Sequence, residues 1–133
     1  MEIMENCIFC KIKDKQIPSF EIWSDDKFYA FLDINPISPG HTLLIPKQHV
    51  DYLFDIDEKQ YSELFMTARK LAPMLKRGTG AKRIGIIVEG FLVPHAHIHL
   101  VPLNQGNQLN PANAKPMDKT ELAKIAERIK NVL

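Results

Sequence analysis

Three histidines spaced two residues apart, His95, His97 and His99, are the residues of this chain with the clearest capacity for chemistry. Side chains alternate across a β-strand, so a strand here would place the three imidazoles on one face and Ala96 and Ile98 on the other. A purely structural role explains the cluster poorly, because each unpaired buried polar group costs about 1–3 kcal/mol. The run therefore indicates a functional site.

Two kinds of chemistry fit this run. A neutral imidazole is nucleophilic and titrates near neutral pH, so a central histidine could attack phosphorus while its neighbours orient it and bind phosphate oxygens. The intermediate would be a phosphohistidine. Alternatively, the three imidazoles could ligate a metal ion whose open position activates water. The spacing alone does not separate the two.

A cysteine pair, Cys7 and Cys10, has the Cys-x-x-Cys spacing of two metal ligands. A zinc site needs four ligands, so the pair alone is an incomplete signal. A redox motif is expected to follow a strand, and only six residues precede Cys7. Ordinary free thiols are the remaining alternative.

The elements around the histidines read as an antiparallel sheet of about five strands. Two aromatic-rich runs separated by Ser24–Lys27 predict a hairpin. The segment Asn35–Gly40, rich in proline and other residues that interrupt regular structure, precedes a third apolar run, which ends at a proline. The predicted strands are Phe20–Trp23, Phe28–Leu32, Thr42–Pro46, Arg83–Glu89 and His97–Pro102.

Two helices are predicted from apolar residues recurring every three and four positions. The main helix would run from Asp57 to about Lys76, with Asp57 and Gln60 as a capping box and with Pro73 predicting a kink or an early end near Ala72. A second helix would span Met117–Leu133. Strands in sequence, with helices between and after them, indicate the α+β class.

Length and composition limit the function classes. A chain of 133 residues fits one domain, 1–133. The net charge of +1 offers no strong field for nucleic acid or an anionic membrane, so neither is an expected partner. Met1–Asn6 is acidic and leads into no apolar run, so we expect neither a secretory signal nor a transit peptide. We therefore expect a cytoplasmic location.

The chain resembles the histidine triad (HIT) family. His95–Val101 fits the family motif His-φ-His-φ-His-φ-φ, where φ is apolar, at every position. Further segments resemble sequence blocks of the family and occur in the same order. Together with the triad they cover most of residues 7–102, the expected core of the domain. Residues 103–133 would then form a C-terminal segment and helix. The further segments are Cys7–Ile12, Ile17–Ser19, Phe31–Pro36 and Pro39–Lys47.

The resemblance implies a nucleotide hydrolase or nucleotidyl transferase that cleaves at the α-phosphate of purine nucleotide conjugates, either phosphoramidates or dinucleoside polyphosphates. It implies a HIT-like fold, and a homodimer whose two sheets join. His97 would be the nucleophile, His99 would bond the phosphate and the leaving-group side, His95 would orient His97, and His41 would be a supporting fourth histidine. The resemblance also implies a base pocket, with Asp33 bonding the ribose, formed by Ile8, Phe9, Ile12, Phe31, Leu32, Ile34 and Asn35.

For the cysteine pair, the resemblance implies a structural zinc ion. In family members with these cysteines, the site is completed by the histidine after the Pro-Lys block, here His49, and by the first triad histidine, His95. Such a site would tie the N-terminal segment to two strands and hold His95, and thereby His97, in place.

The chain departs from the family just before the triad. Many members carry a longer glycine-rich loop ending in Gly-Gln-Ser or a close variant, where this chain has Glu89–Pro94 (EGFLVP). Backbone N–H groups must replace the missing polar side chains, or their contacts are lost. This difference bears on the leaving group. It also keeps open an alternative to catalysis, a nucleotide-binding interaction or sensor protein with little turnover.

Overall fold

The computed structural model describes residues 7–132. Met1–Asn6 lies outside the described residues, as does Leu133, the last residue of the second predicted helix. Five antiparallel strands form one sheet in the order β1-β2-β3-β5-β4, which confirms the predicted α+β class. The strands are β1 Glu21–Ser24, β2 Phe28–Leu32, β3 Thr42–Pro46, β4 Arg83–Ile87 and β5 Ile98–Leu103.

Three α-helices accompany the sheet: α1 Ile8–Lys13, α2 Glu58–Thr79 and α3 Lys119–Lys130. The first was not predicted, because six residues are too few to show a helical period. It begins where the Cys7 sulfur accepts a hydrogen bond from the Cys10 N–H, in the position of a helix cap. None of the helices within 7–132 is long and apolar enough to cross a bilayer.

The main helix, α2, passes through Pro73 and ends only at Thr79, so the predicted early end near Ala72 is wrong. A proline leaves the carbonyl four residues earlier, that of Arg69, without its helical partner. Arg69 and Pro73 are exposed, so water can donate a hydrogen bond to that carbonyl. The neighbouring Leu71 and Leu75 stay buried. At its start the Asp57 carboxylate accepts from the Gln60 N–H, as the capping box predicted.

The sheet separates two apolar clusters. One face packs against α2 and α3 through alternate residues such as Phe28, Ala30, Leu44, Ile98 and Leu100. The other face packs against α1, and there Phe9 of the helix meets the residues that lie between them in the strands, Tyr29, Phe31, Leu43 and Ile45. The two-residue period of the strands therefore decides which side chains reach the α1 face, where the histidines and the cysteine pair lie.

Candidate functional site

The three triad histidines share one side of the chain, although only His99 lies in a strand. The strand β5 begins at Ile98, one residue later than predicted, and His95 and His97 lie in the segment before it, which bends at His95. The alternation continues through that segment, since Ala96, like Ile98, is buried on the α2 face. The rings of His97 and His99 lie 4.9 Å apart.

Hydrogen bonds to backbone carbonyls fix the tautomers of His95 and His97. The Nδ1 atom of His97 lies 2.7 Å from the carbonyl oxygen of His95, and because a carbonyl only accepts, Nδ1 carries the proton. In the neutral ring the lone pair is then on Nε2. For His95 the assignment is reversed, because its Nε2 lies 2.7 Å from the carbonyl oxygen of Pro46 and its lone pair is on Nδ1.

A second chain of hydrogen bonds joins His41 to His99. The Ile37 N–H donates to Nδ1 of His41 at 3.0 Å, so the neutral ring carries its proton on Nε2. That atom lies 2.9 Å from Nδ1 of His99, which must accept. The remaining nitrogen of His99, Nε2, is therefore a donor. His41 also lies 3.6 Å from a carboxylate oxygen of Asp33, whose other oxygen accepts from the Asn35 N–H.

Burial holds these imidazoles neutral at physiological pH. Desolvation lowers the pKa of His41, of His95 and of His99 to about 4 in each case. It also lowers the pKa of His97, against the opposing effects of the His95 carbonyl and of the negative charges of Asp33 and Glu89. A neutral His97 retains the Nε2 lone pair that a nucleophile needs.

The four predicted metal ligands, Cys7, Cys10, His49 and His95, form one cluster whose ligand atoms all lie within 4.8 Å of one another. Nδ1 of His95 is 3.4 Å from both sulfurs, and Nδ1 of His49 is 3.2 Å from the Cys10 sulfur. Bond lengths of about 2.0–2.3 Å in a tetrahedral zinc site separate neighbouring ligand atoms by about 3.3–3.8 Å. The cluster could therefore hold a metal ion.

The chemistry of the donors agrees with this geometry. The tautomer of His95 directs its lone pair at the two sulfurs, and both sulfurs are buried. Burial, and next the neighbouring Cys7, raise the pKa of the Cys10 thiol to about 12. A thiolate in this position needs a cation beside it.

The triad does not form a ligand set of its own among residues 7–132. His95 belongs to the cysteine cluster, whereas His99 lies with His41 and Asp33, whose potential ligand atoms also fall within 4.8 Å. Since His41 carries its proton on the nitrogen that faces His99, that second group is already satisfied by hydrogen bonds. This arrangement gives no support to a hydrolase that uses the three triad histidines as metal ligands.

Part of the predicted base pocket lies beside the triad. The Phe9 ring contacts His97 edge to face at 5.0 Å and Phe31 at 5.5 Å. Ile12 is buried in the same cluster. Ile8, Ile34 and Asn35 are exposed, and Asp33 is half-buried.

Leu32 is a correction to the predicted pocket. It lies in the cluster on the α2 face, 2% exposed, because it follows Phe31 in a strand and so points the opposite way. It cannot line the surface that Phe31 lines.

A cavity of about 500 Å³ next to His97 was not predicted. Its walls combine the turn after His49, the N-terminal half of α2 and the loop before the triad, which are distant in the sequence. Its apolar lining consists largely of Tyr52, Leu53, Phe54, Tyr61, Phe65 and Phe91. Two acidic residues, Asp51 and Glu89, also line it.

Curated relatives resemble most of the chain. The HIT domain matches residues 14–106. A HIT-like protein of Borreliella burgdorferi is 38% identical over 80% of this chain and 88% of its own length. The adenosine 5'-monophosphoramidase HNT1 of Candida albicans is 35% identical over 96% of this chain and 91% of its own length.

Solved structures agree with these relatives. A Hit-like protein of Bartonella henselae superposes with a TM-score of 0.86 at 29% identity, covering 99% of this chain and 100% of that one. A zinc-bound histidine triad protein of Mycobacterium smegmatis reaches a TM-score of 0.81 at 27% identity, covering 94% of this chain and 91% of that one. With the extent of the domain match, these similarities show that the chain belongs to the histidine triad (HIT) family.

Proposed function

We propose that this protein is a nucleotide hydrolase that cleaves purine nucleotide conjugates at the α-phosphate, with His97 as the nucleophile. The observation that carries the proposal is the bond from Nδ1 of His97 to the His95 carbonyl, which leaves a lone pair on Nε2. A relative named adenosine 5'-monophosphoramidase, 35% identical over 96% of this chain, supports the substrate class.

In the proposed reaction, the Nε2 lone pair of His97 forms a bond to phosphorus as the bond from phosphorus to the leaving group breaks. The leaving group keeps the electron pair of the broken bond and takes a proton from solvent. The His95 carbonyl oxygen, which accepts the Nδ1 proton of His97, stabilises the positive charge that develops on the ring. Water then cleaves the nucleotidyl-histidine, which releases the nucleotide and restores His97.

His99 and His41 act together on the phosphate in this proposal. Because His41 donates to Nδ1 of His99, the latter ring presents its Nε2 proton as a donor to a phosphate oxygen. The Ile37 N–H fixes the tautomer of His41 and so determines the direction of the whole chain of bonds. His41 therefore has a positioning role and His99 the direct contact.

The nucleoside half is assigned to the surface beside Phe9 and Phe31. An aromatic or aliphatic wall buries a base face, and Asp33 offers a carboxylate to the vicinal ribose hydroxyls. The Asn35 N–H fixes one oxygen of that carboxylate at 2.8 Å. Ile8 and Ile34, both exposed, would lose solvent contact when the base binds; Ile12 would support Phe9 from within the cluster.

We assign zinc to Cys7, Cys10, His49 and His95. A bound zinc ion supplies four-coordinate cross-linking and no open position for a substrate, because the chain fills all four positions. The four residues connect α1, the segment after β3 and the segment before β5. His95 then fixes the carbonyl that orients His97, so the site serves catalysis only through position.

A homodimer is also part of the proposal. The strand β4 is an edge of the sheet, and it exposes Ile86 (47%) with Val88 (39%) just beyond it. An exposed apolar edge strand favours pairing with another strand. A second copy that adds its own β4 would join the two sheets, as the family resemblance implies.

The test is turnover of an adenosine phosphoramidate by the wild type and by His97→Asn. We expect hydrolysis to disappear in the variant, because the amide is not a nucleophile, while the dissociation constant for AMP changes less than about threefold. Persistent turnover in His97→Asn would contradict the assignment. Tight nucleotide binding by a wild type without turnover would instead favour the sensor alternative.

A further inference from the structure

We propose that the cavity beside His97 is a leaving-group subsite that takes an amine bearing an aromatic or other bulky apolar substituent. The proposal rests on the function proposed above, because it specifies the second half of the conjugate that His97 cleaves. It also separates the two substrate classes left open so far, phosphoramidates and dinucleoside polyphosphates.

Two apolar surfaces meet at His97. On one side its ring contacts Phe9, at a centroid distance of 5.0 Å, where the nucleoside half is assigned. His97 also lines the cavity of about 500 Å³, whose lining includes neither Phe9 nor Phe31. A conjugate whose phosphorus lies at His97 has to place its two halves on different sides of that residue. With the nucleoside beside Phe9, the cavity is left for the other half.

The cavity wall is built for a planar apolar group. Tyr52, Phe54, Tyr61 and Phe65 form a continuous row, with centroids 5.6, 6.0 and 4.9 Å apart from one ring to the next. Tyr52 and Phe54 are more than half exposed, so their ring faces and edges are available to a ligand. Rings at such separations gain from edge-to-face and offset contacts.

Phe91 adds to this wall from the loop before the triad, and it is 87% exposed. This loop is where the sequence replaces the polar residues common in the family with EGFLVP. Relative to the family loop, the substitution therefore removes polar side chains and adds an aromatic ring that lines the cavity. Both changes favour an apolar leaving group.

The charges of the cavity favour an amine over a polyphosphate. Asp51 and Glu89 line it, and within the described part of the chain no lysine or arginine does. When the phosphorus–nitrogen bond breaks, its electron pair stays on the nitrogen, which takes one proton from solvent to form an amine and a second proton to form an ammonium ion. Carboxylates attract that cation, whereas they repel the phosphates of a dinucleoside polyphosphate.

The experiment compares kcat/KM for three substrates: the phenethylamine and methylamine phosphoramidates of AMP, and diadenosine tetraphosphate. We expect the phenethylamine conjugate to be preferred over the methylamine conjugate about tenfold, from burial of one ring. Phe91→Ala should reduce that preference to about threefold. Leu92→Ala is the matched control, because Leu92 is 91% exposed and adjacent but does not line the cavity. It should leave the preference unchanged.

Four outcomes would overturn the inference. Equal kcat/KM for the two amines, with hydrolysis still dependent on His97, would remove the subsite and leave the proposed function standing. Faster cleavage of diadenosine tetraphosphate would reverse the argument from charge. An equal loss on both amines in Phe91→Ala, together with a change in sedimentation, would assign the cavity to a second copy of the chain. If none of the three substrates is cleaved, the proposed function fails first, and the subsite with it.

Discussion

Acid should destabilise this protein through His41, and replacing that residue should remove a defined part of the effect. His41 is 2% exposed, and burial lowers its pKa from 6.5 to about 4. Between these two pH values the unfolded chain binds a proton that the folded chain excludes, so stability rises with pH across this window and is lost as pH falls through it. Each pKa unit corresponds to about 1.4 kcal/mol, which gives about 3 kcal/mol for His41.

The measurement is urea unfolding of the wild type and His41→Asn at several values between pH 7.5 and pH 4, with zinc saturating. The variant should be less stable at pH 7.5 by about 1–2 kcal/mol, because the bonds to Ile37 and His99 are weakened. Its further loss towards pH 4 should be smaller than that of the wild type by about 3 kcal/mol. Asp33 acts in the opposite sense, since burial raises its pKa above 3.8, but it is present in both proteins. Parallel stability curves for the two proteins would refute the reasoning.

Three further predictions concern the metal, the ribose and the dimer. Cys10→Ser should purify with less zinc than the wild type and unfold about 10 °C lower; equal zinc by mass spectrometry would contradict the ligand assignment. Asp33→Asn should weaken AMP binding about tenfold by calorimetry and have little effect on 2',3'-dideoxy-AMP, which lacks the hydroxyls; equal losses on both ligands would contradict the ribose contact. Ile86→Lys should sediment as a monomer, because a charge on the β4 edge opposes pairing, and a variant that remains dimeric would contradict sheet joining through β4.

Much of this fold is predictable from the local pattern. Apolar runs bounded by turn residues identify the strands, a helical apolar period identifies α2, and the capping of α2 by Asp57 follows from residue types three apart. The pattern fails where tertiary contacts decide. Pro73 predicts an end to α2, yet the burial of Leu71 and Leu75 against the sheet carries the helix past it. The helix α1 is too short to produce a period.

The candidate site is likewise predictable from the sequence only in part. The triad and the cysteine pair are local motifs, so their spacing and the family resemblance identify them in the sequence. The face of the sheet to which the Leu32 side chain points depends on which alternate residues of β2 face α2, and a run of consecutive apolar residues does not reveal this. The tautomers of His95 and His97 depend on carbonyls that only the folded chain supplies. The aromatic cavity joins residues 51–54, α2 and the loop before the triad, a juxtaposition that no linear pattern contains.

The central claim is that the nucleotide becomes attached to His97, and the most direct measurement is to trap and locate that adduct. The wild type would be mixed with an AMP phosphoramidate, quenched at base within milliseconds to preserve the acid-labile phosphorus–nitrogen bond, digested and analysed by mass spectrometry. We predict an adenylyl group on the peptide that contains His97, assigned to that ring by fragmentation, forming at least as fast as AMP and missing in His97→Asn. An adduct on another residue, or steady hydrolysis with no adduct at any quench time, would contradict the account.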